Sequence, residues 1–193
     1  KKSLSSFRLR VMKVKVLVVY DSISGNTLEM AKAVAKGAKD LGAEVLIKHV
    51  NEVTIEDLND FDGFAFGSPT HCGVMSKAMN EFFTNKAMPM WGRMQGKVAA
   101  AFSSSGGLGG GNETTILTIL LAALNYGMVT FGTPDYSAPG VTLHYGAVSV
   151  GTPKTENIKA CEILGRRLAV YAKILKFGIA QLSKEEKLLL KIS

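Results

Sequence analysis

Short apolar, β-branched runs alternate along this chain with longer stretches whose apolar residues recur at helical spacing. Residues 14–20 (VKVLVVY) read as a strand buried on both faces. In residues 27–41 the side chains of Leu28, Ala31, Val34, Ala35, Ala38 and Leu41 form one stripe with lysines between them. Gly42 closes that helix. The same reading predicts strands at 44–50, 63–67, 97–102 and 128–131. It predicts helices at 54–58, 75–84, 113–126 and 157–177, the last carrying Ile158, Cys161, Leu164, Leu168, Tyr171 and Leu175 on one face. Strands alternating with helices predict an α/β fold, a five-stranded parallel sheet with helices on both faces. The segment 132–156, with Tyr136, His144 and Tyr145, reads as a long connection.

At 193 residues a single domain is expected, spanning 14–177. Residues 1–13 form a basic leader, with Lys1, Lys2, Arg8, Arg10 and Lys13, expected outside the fold. Residues 178–193 form a helical tail that opens on a capping box, Ser183 with Glu186. With 47% hydrophobic and 20% charged residues the composition is that of a soluble globular chain, expected to be cytoplasmic. No apolar run reaches the length of a membrane span. Cys72 and Cys161 provide neither a metal-ligand spacing nor a disulfide framework. The net charge of +7 is spread out, without a nucleic-acid-binding motif, so it reads as solvated surface.

The polar turns carry the chemistry. Ser22, Ile23, Ser24, Gly25, Asn26 and Thr27 join the first strand to the first helix. Small residues and hydroxyls at a helix N-terminus suit a phosphate, held by amides without Lys or Arg. The other reading is an ordinary turn in which Ser24, Asn26 or Thr27 caps the helix. Strand three ends in Ser68-Pro69-Thr70-His71-Cys72-Gly73, and strand four in Ser103-Ser104-Ser105-Gly106-Gly107-Leu108-Gly109-Gly110-Gly111. In the strand order 2-1-3-4-5, strands one, three and four are neighbours, so the three loops meet at one pocket beyond their carboxyl ends. A ligand with a phosphate at one end and a flat polar ring at the other fits, and flavin mononucleotide (FMN) has that shape. There is no G-x-x-x-x-G-K-[ST] motif, and residues 106–111 do not spell G-x-G-x-x-G.

With Tyr126-Gly127-Met128, these three loop sequences resemble the WrbA branch of the flavodoxin-like proteins, over about residues 14–175. That branch comprises FMN-dependent NAD(P)H:quinone oxidoreductases, typically tetramers. The resemblance implies a flavodoxin-like fold, with phosphate on residues 22–27 and the ring against Pro69, Thr70, His71, Cys72 and Gly73. Further ring and ribityl contacts would come from Ser103, Ser104, Ser105, Gly106, Gly107, Leu108 and Gly109. It implies a homo-oligomer, NADH or NADPH as donor and a quinone as acceptor. Members often carry histidine where this chain has Tyr126, and Arg-Phe-Gly where it has His71-Cys72-Gly73.

No side-chain nucleophile is expected, because the flavin carries the chemistry. Tyr126 would stack on or bond to the ring edge, and His71 would bond to the ring or a bound quinone; alternatively both fill their loops. Cys72 reads as a small loop residue. Trp91 and Tyr145 are the candidate substrate contacts. The apolar stretch Met88-Pro89-Met90-Trp91 either covers the flavin face, that of a neighbouring subunit included, or forms a satellite core. Two function classes follow: an NAD(P)H-dependent quinone reductase, or an electron carrier whose partner is another redox protein. The basic charge and the long loops favour the enzyme.

Overall fold

The computed structural model describes residues 13–184 and Lys187, so most of the leader and most of the tail beyond Ser183 lie outside the described residues. Strand β1 (Lys15–Tyr20) is flanked in parallel by β2 (Glu44–His49) and β3 (Gly63–His71). Strand β3 continues to β5 (Val98–Ser105), also parallel, after a short β4 (Val74–Met75). The helices are α1 (Asn26–Asp40), α2 (Ile55–Asp60), α3 (Lys77–Glu81), α4 (Asn112–Asn125) and α5 (Thr155–Ile179).

Strand five is split. The expected strand at 128–131 shortens to β6 (Val129–Thr130), which pairs with the start of β5. The chain then leaves the sheet for a small hairpin, β7 (Tyr136–Ala138) and β8 (Val141–Thr142). It returns as β9 (Ala147–Val150), parallel to the far half of β5 from Phe102 to Ser105. Counting β6 and β9 as one strand, the order is the expected 2-1-3-4-5. The segment read as a plain connection therefore hides a sheet strand. Four residues in length, β9 is too short to stand out by period.

Alternation along the strands divides the core in two. Val16, Val18, Ala65, Ala100 and Phe102 face α1 and α5, where Met30, Val34, Leu164 and Leu168 bury. Leu17, Val19, Phe64, Phe66 and Ala101 face the other way, onto Met79, Phe82, Phe83, Met94, Ile116 and Ile119. Helix α1 ends as expected: Gly42 takes φ 79°, its amide bonds Lys39 O and that of Ala43 bonds Ala38 O. Helix α2 starts on a reciprocal cap between Thr54 and Asp57. The predicted helix 75–84 is interrupted: Met75 belongs to β4, and a π-helical turn at Phe82–Lys86 follows α3.

Helices α1 and α5 touch backbone to backbone through Gly37 and Gly165. A Cβ on Gly165 would collide with the Val34 carbonyl, and one on Gly37 with the Glu162 carbonyl. Neither neighbour is a flexible side-chain end, so the helices would have to part. Gly165→Ala is expected to cost about 2–4 kcal/mol, read as a lower urea midpoint at unchanged slope.

Candidate functional site

The three polar turns meet at the carboxyl ends of β1, β3 and β5. Buried hydroxyls tie them together. Thr27 Oγ1, in the first turn of α1, lies 2.9 Å from Ser104 Oγ on β5. Thr70 Oγ1 on β3 lies 3.0 Å from Ser103 Oγ, which also bonds Ser68 O at 2.9 Å. Thr115 Oγ1 on α4 reaches both Thr70 Oγ1 (3.1 Å) and Gly111 O (2.9 Å). Ser105 Oγ donates to Gly107 O at 3.0 Å and holds the start of the glycine loop. The convergence expected from strand order is thus present as direct hydrogen bonds.

The first turn has the geometry of an anion cradle. Gly25 precedes α1 at φ 87°, a left-handed conformation that a Cβ would strain, and the cap position itself offers no side chain to the helix. The cap that the alternative reading assigned to Ser24, Asn26 or Thr27 is absent; the Thr27 hydroxyl bonds Ser104 instead. Ser22 Oγ accepts from the Leu28 amide at 3.4 Å and braces the turn from inside. Ser22 thus takes one of the amides that a helix start leaves without an intrahelical partner, and the others remain at the N-terminus of α1.

The second turn is a hairpin. Strand β3 runs through Pro69 to His71 instead of stopping at Gly67, and β4 folds back on it, with Thr70 opposite Met75 and His71 opposite Val74. Cys72 and Gly73 form the two-residue tip at φ 51° and 80°. Positive φ at both central residues is the type I′ turn, for which Asn-Gly is the favoured pair. Cys72 is thus more than a space-filling loop residue: it is the only non-glycine with positive φ among the described residues. His71 and Cys72 stand exposed on the rim.

The third turn starts later than expected. Ser103, Ser104 and Ser105 are buried strand residues whose hydroxyls serve the network below the rim. The loop proper is Gly106 to Gly111, with Leu108 94% exposed at its crest. Ile23 on the first turn is 79% exposed, so each of these two loops holds an apolar side chain in solvent. Across 22–27, 68–73 and 103–111 there is no Lys, Arg, Asp or Glu.

Three expected contacts do not join this rim. Helix α4 starts there and runs back to the amino ends of the strands, about 20 Å away at 1.5 Å per residue. Tyr126 follows its last turn, is 3% exposed, and donates its phenol to Phe83 O. Trp91 packs edge-on against Tyr126 at 5.1 Å, in the same distant place, and remains 53% exposed. Tyr126 is thus a core residue, its spacing to the glycine loop being a full helix length. Tyr145 is exposed on the inserted segment, two residues before β9, level with the middle of β5 rather than its end. Sequence reasoning missed Asp21 and His49, which lie 3.3 Å apart under the first turn. Their positions at the ends of two adjacent parallel strands were the available signal.

Among the described residues no cluster of His, Cys, Asp and Glu could hold a metal ion, and no helix is long and apolar enough to cross a membrane. Cys161 is buried in the α5 interface, and burial pushes its thiol pKa well up. Cys72→Asn is expected to stabilise the chain by about 0.5–1 kcal/mol in urea unfolding, because asparagine accepts the left-handed conformation. A thiol reagent is expected to label one cysteine in the folded protein, Cys72, and both after unfolding.

The flavodoxin family profile matches residues 18–138. A protein of Aquifex aeolicus named flavodoxin is 50% identical over 170 residues, covering 87% of this chain and 92% of its own length. An Archaeoglobus fulgidus protein named NAD(P)H dehydrogenase (quinone) is 37% identical over 188 residues, covering 82% of this chain and 97% of its own. The structure of a WrbA-like flavodoxin from Agrobacterium tumefaciens superposes with a TM-score of 0.66 at 24% identity, over 83% of this chain and 98% of that one. With its 2-1-3-4-5 sheet and its three turns on one edge, the chain belongs to the flavodoxin family and is similar over most of its length to a protein named NAD(P)H dehydrogenase (quinone).

Proposed function

We propose that the protein is an FMN-dependent oxidoreductase that passes two electrons from NADH or NADPH to a quinone. The observation that carries this reading is the glycine-led N-terminus of α1, joined by hydroxyls to two further turns on an uncharged rim. The residues fit the cofactor. Residues 22–27 offer amides and hydroxyls for its phosphate. A Cβ on Gly111 would press against the backbone of Gly73, so the hairpin tip and the glycine loop approach closely only without side chains there. That leaves backbone edges to meet a planar ring.

When bound, FMN would accept a hydride from the nicotinamide and deliver two electrons to the quinone. The chain's own part is to bind, orient and shield. The first turn of α1 would anchor the phosphate. Pro69, Thr70, His71, Cys72 and Gly73 would border the ring on one side, and Gly106, Gly107, Leu108 and Gly109 on the other. Ile23 and Leu108 would screen the site from water, and His71 would orient the quinone. Trp91, far from its own rim, could cover a ring only in a second copy of the chain. This reading includes a dimer or tetramer, which gel filtration of the purified protein checks.

A second reading is favoured by the Aquifex relative, which is named flavodoxin. On that reading the protein carries electrons to a redox partner without turning over a quinone. The experiment combines FMN titration with NAD(P)H oxidation in the presence of benzoquinone. FMN uptake with sustained oxidation of NADH or NADPH is expected. FMN uptake without turnover would select the carrier, and no FMN uptake would reject both.

A further inference from the structure

On the β9 side of β5 lies a second opening that the proposed reaction leaves unused. It is a groove of about 330 Å³, within the range of small-molecule sites. Its lining comes from the glycine loop with the first turn of α4, from the β7–β8 hairpin, from β9 and from the start of α5. None of it belongs to 22–27 or 68–73, so the groove is distinct from the phosphate cradle and the hairpin tip. Leu108, at the crest of the glycine loop, belongs to both the rim and the groove. The segment inserted into strand five supplies one wall through Gly140, Val141 and Thr142.

Several polar groups of the groove are engaged in building it. Asn112 donates to Ser105 Oγ at 3.3 Å, and its Oδ1 accepts from the Glu113 amide at 2.9 Å. Asn157 donates to Val148 O at 3.0 Å, and its Oδ1 accepts from the Lys154 amide at 2.9 Å. Ser149 Oγ donates to Gly151 O at 3.0 Å, and the Gly151 amide donates to Ser105 O at 2.8 Å. The starts of α4 and α5 are thereby pinned to β5 and β9. Left to meet a ligand are Glu113, Glu156, Lys154 and the Thr142 hydroxyl, none of them in an ion pair or a side-chain hydrogen bond among the described residues. Glu113 and Glu156 stand in the first turns of α4 and α5, where the helix dipole favours negative charge.

We propose that this groove takes the adenosine half of the dinucleotide donor, and that Glu113 and Glu156 make that donor NADH in preference to NADPH. The inference rests on the reading of the protein as an NAD(P)H-dependent oxidoreductase and names the subsite and the donor. The nicotinamide must meet the ring at the rim, and the adenosine follows two phosphates further on. The shared wall at Leu108 lets one molecule span both places. Two carboxylates beside one ammonium do not suit a simple anion; they suit a ligand that offers hydroxyl donors as well as a phosphate. A carboxylate accepts from ribose hydroxyls, as the acidic residue of a dinucleotide fold does. The Lys154 ammonium pairs with the pyrophosphate. Val141, Val148 and Val150 offer apolar surface to the base. A 2′-phosphate would stand beside two carboxylates with a single lysine to offset them.

The test is calorimetric titration of the FMN-loaded full chain with ADP-ribose, which carries the adenosine half without the nicotinamide, and with its 2′-phosphate derivative. ADP-ribose is expected to bind about tenfold more tightly than the derivative, the effect of a doubly charged phosphate roughly 5 Å from a carboxylate in water. The double variant Glu113→Gln with Glu156→Gln is expected to bring the two affinities within about twofold of each other. Lys154→Gln is expected to weaken both by about fivefold. With benzoquinone as acceptor, the double variant is expected to lower the NADH-to-NADPH ratio of kcat/KM by about the same factor that it removes from binding. Reduced nicotinamide mononucleotide, which lacks the adenosine, is expected to be oxidised as by wild type. Unchanged FMN uptake by the variants shows that they fold. No binding of ADP-ribose, equal or reversed binding of the two forms, or a preference that the double variant keeps overturns the inference while leaving the cofactor reading intact. Failure of wild type to take up FMN overturns both.

Discussion

The architecture of the rim depends on hydroxyls that bond one another inside the sheet. Ordinarily a buried strand ends where its apolar residues end, because unpaired polar groups are costly to bury. Here β3 and β5 run on past their apolar stretches. Ser68, Ser103, Ser104 and Ser105 are all buried, and each has a partner at hydrogen-bond distance. Thr70 and Thr115 extend the network to the hairpin and to α4. Three turns separated by some forty residues each are thereby held in register without an ion pair. A network of this kind is worth keeping only when complete, since one missing member leaves its neighbour unsatisfied.

That dependence explains which parts were legible in the sequence. Strands β1 and β2 and helices α1 and α5 follow from apolar periodicity, and their observed ends differ from the predicted ones by only a residue or two. The carboxyl ends of β3 and β5 were not legible, because serine and threonine read as loop when their partners are unknown. Pro69 reinforced the error: it lacks an amide, yet sits in β3 beside β5, where it pairs with Ser104. The hairpin tip was hidden for a related reason. Cys-Gly is not a usual turn pair, and only the backbone angles reveal what Cys72 is doing.

The site itself divides along the same line. The turn at 22–27 was readable because its chemistry is local: small residues, hydroxyls and a helix start within six positions. Tyr126 and Trp91 came from resemblance along the sequence, which carries no sense of depth. Depth was available from helix length. A helix that begins at the carboxyl ends of the strands must, after fourteen residues, finish near their amino ends. Tyr126 is therefore a core aromatic with Phe83 and Trp91 for neighbours. The split fifth strand belongs to the same class of long-range fact. Arg167 on α5 grips Asp135 at the base of the inserted hairpin at 2.7 Å, a contact thirty-two residues apart in sequence.

The net charge of +7 and the uncharged rim together shape how an anion would be held. A lysine in the cradle would bind phosphate by a point charge, which also attracts any other anion. Amides and hydroxyls aimed from fixed backbone select by direction, and fixed dipoles need little rearrangement when the ligand arrives. Such a cradle is only as good as the rigidity behind it. In this chain that rigidity comes from Thr27 bonded to Ser104 and from Gly25, which sets the entry angle of α1. The dispersed basic surface can still draw a nucleotide toward the protein over longer distances, where direction does not matter. Long-range attraction and short-range selection are thus assigned to different atoms, and the selecting atoms carry no formal charge.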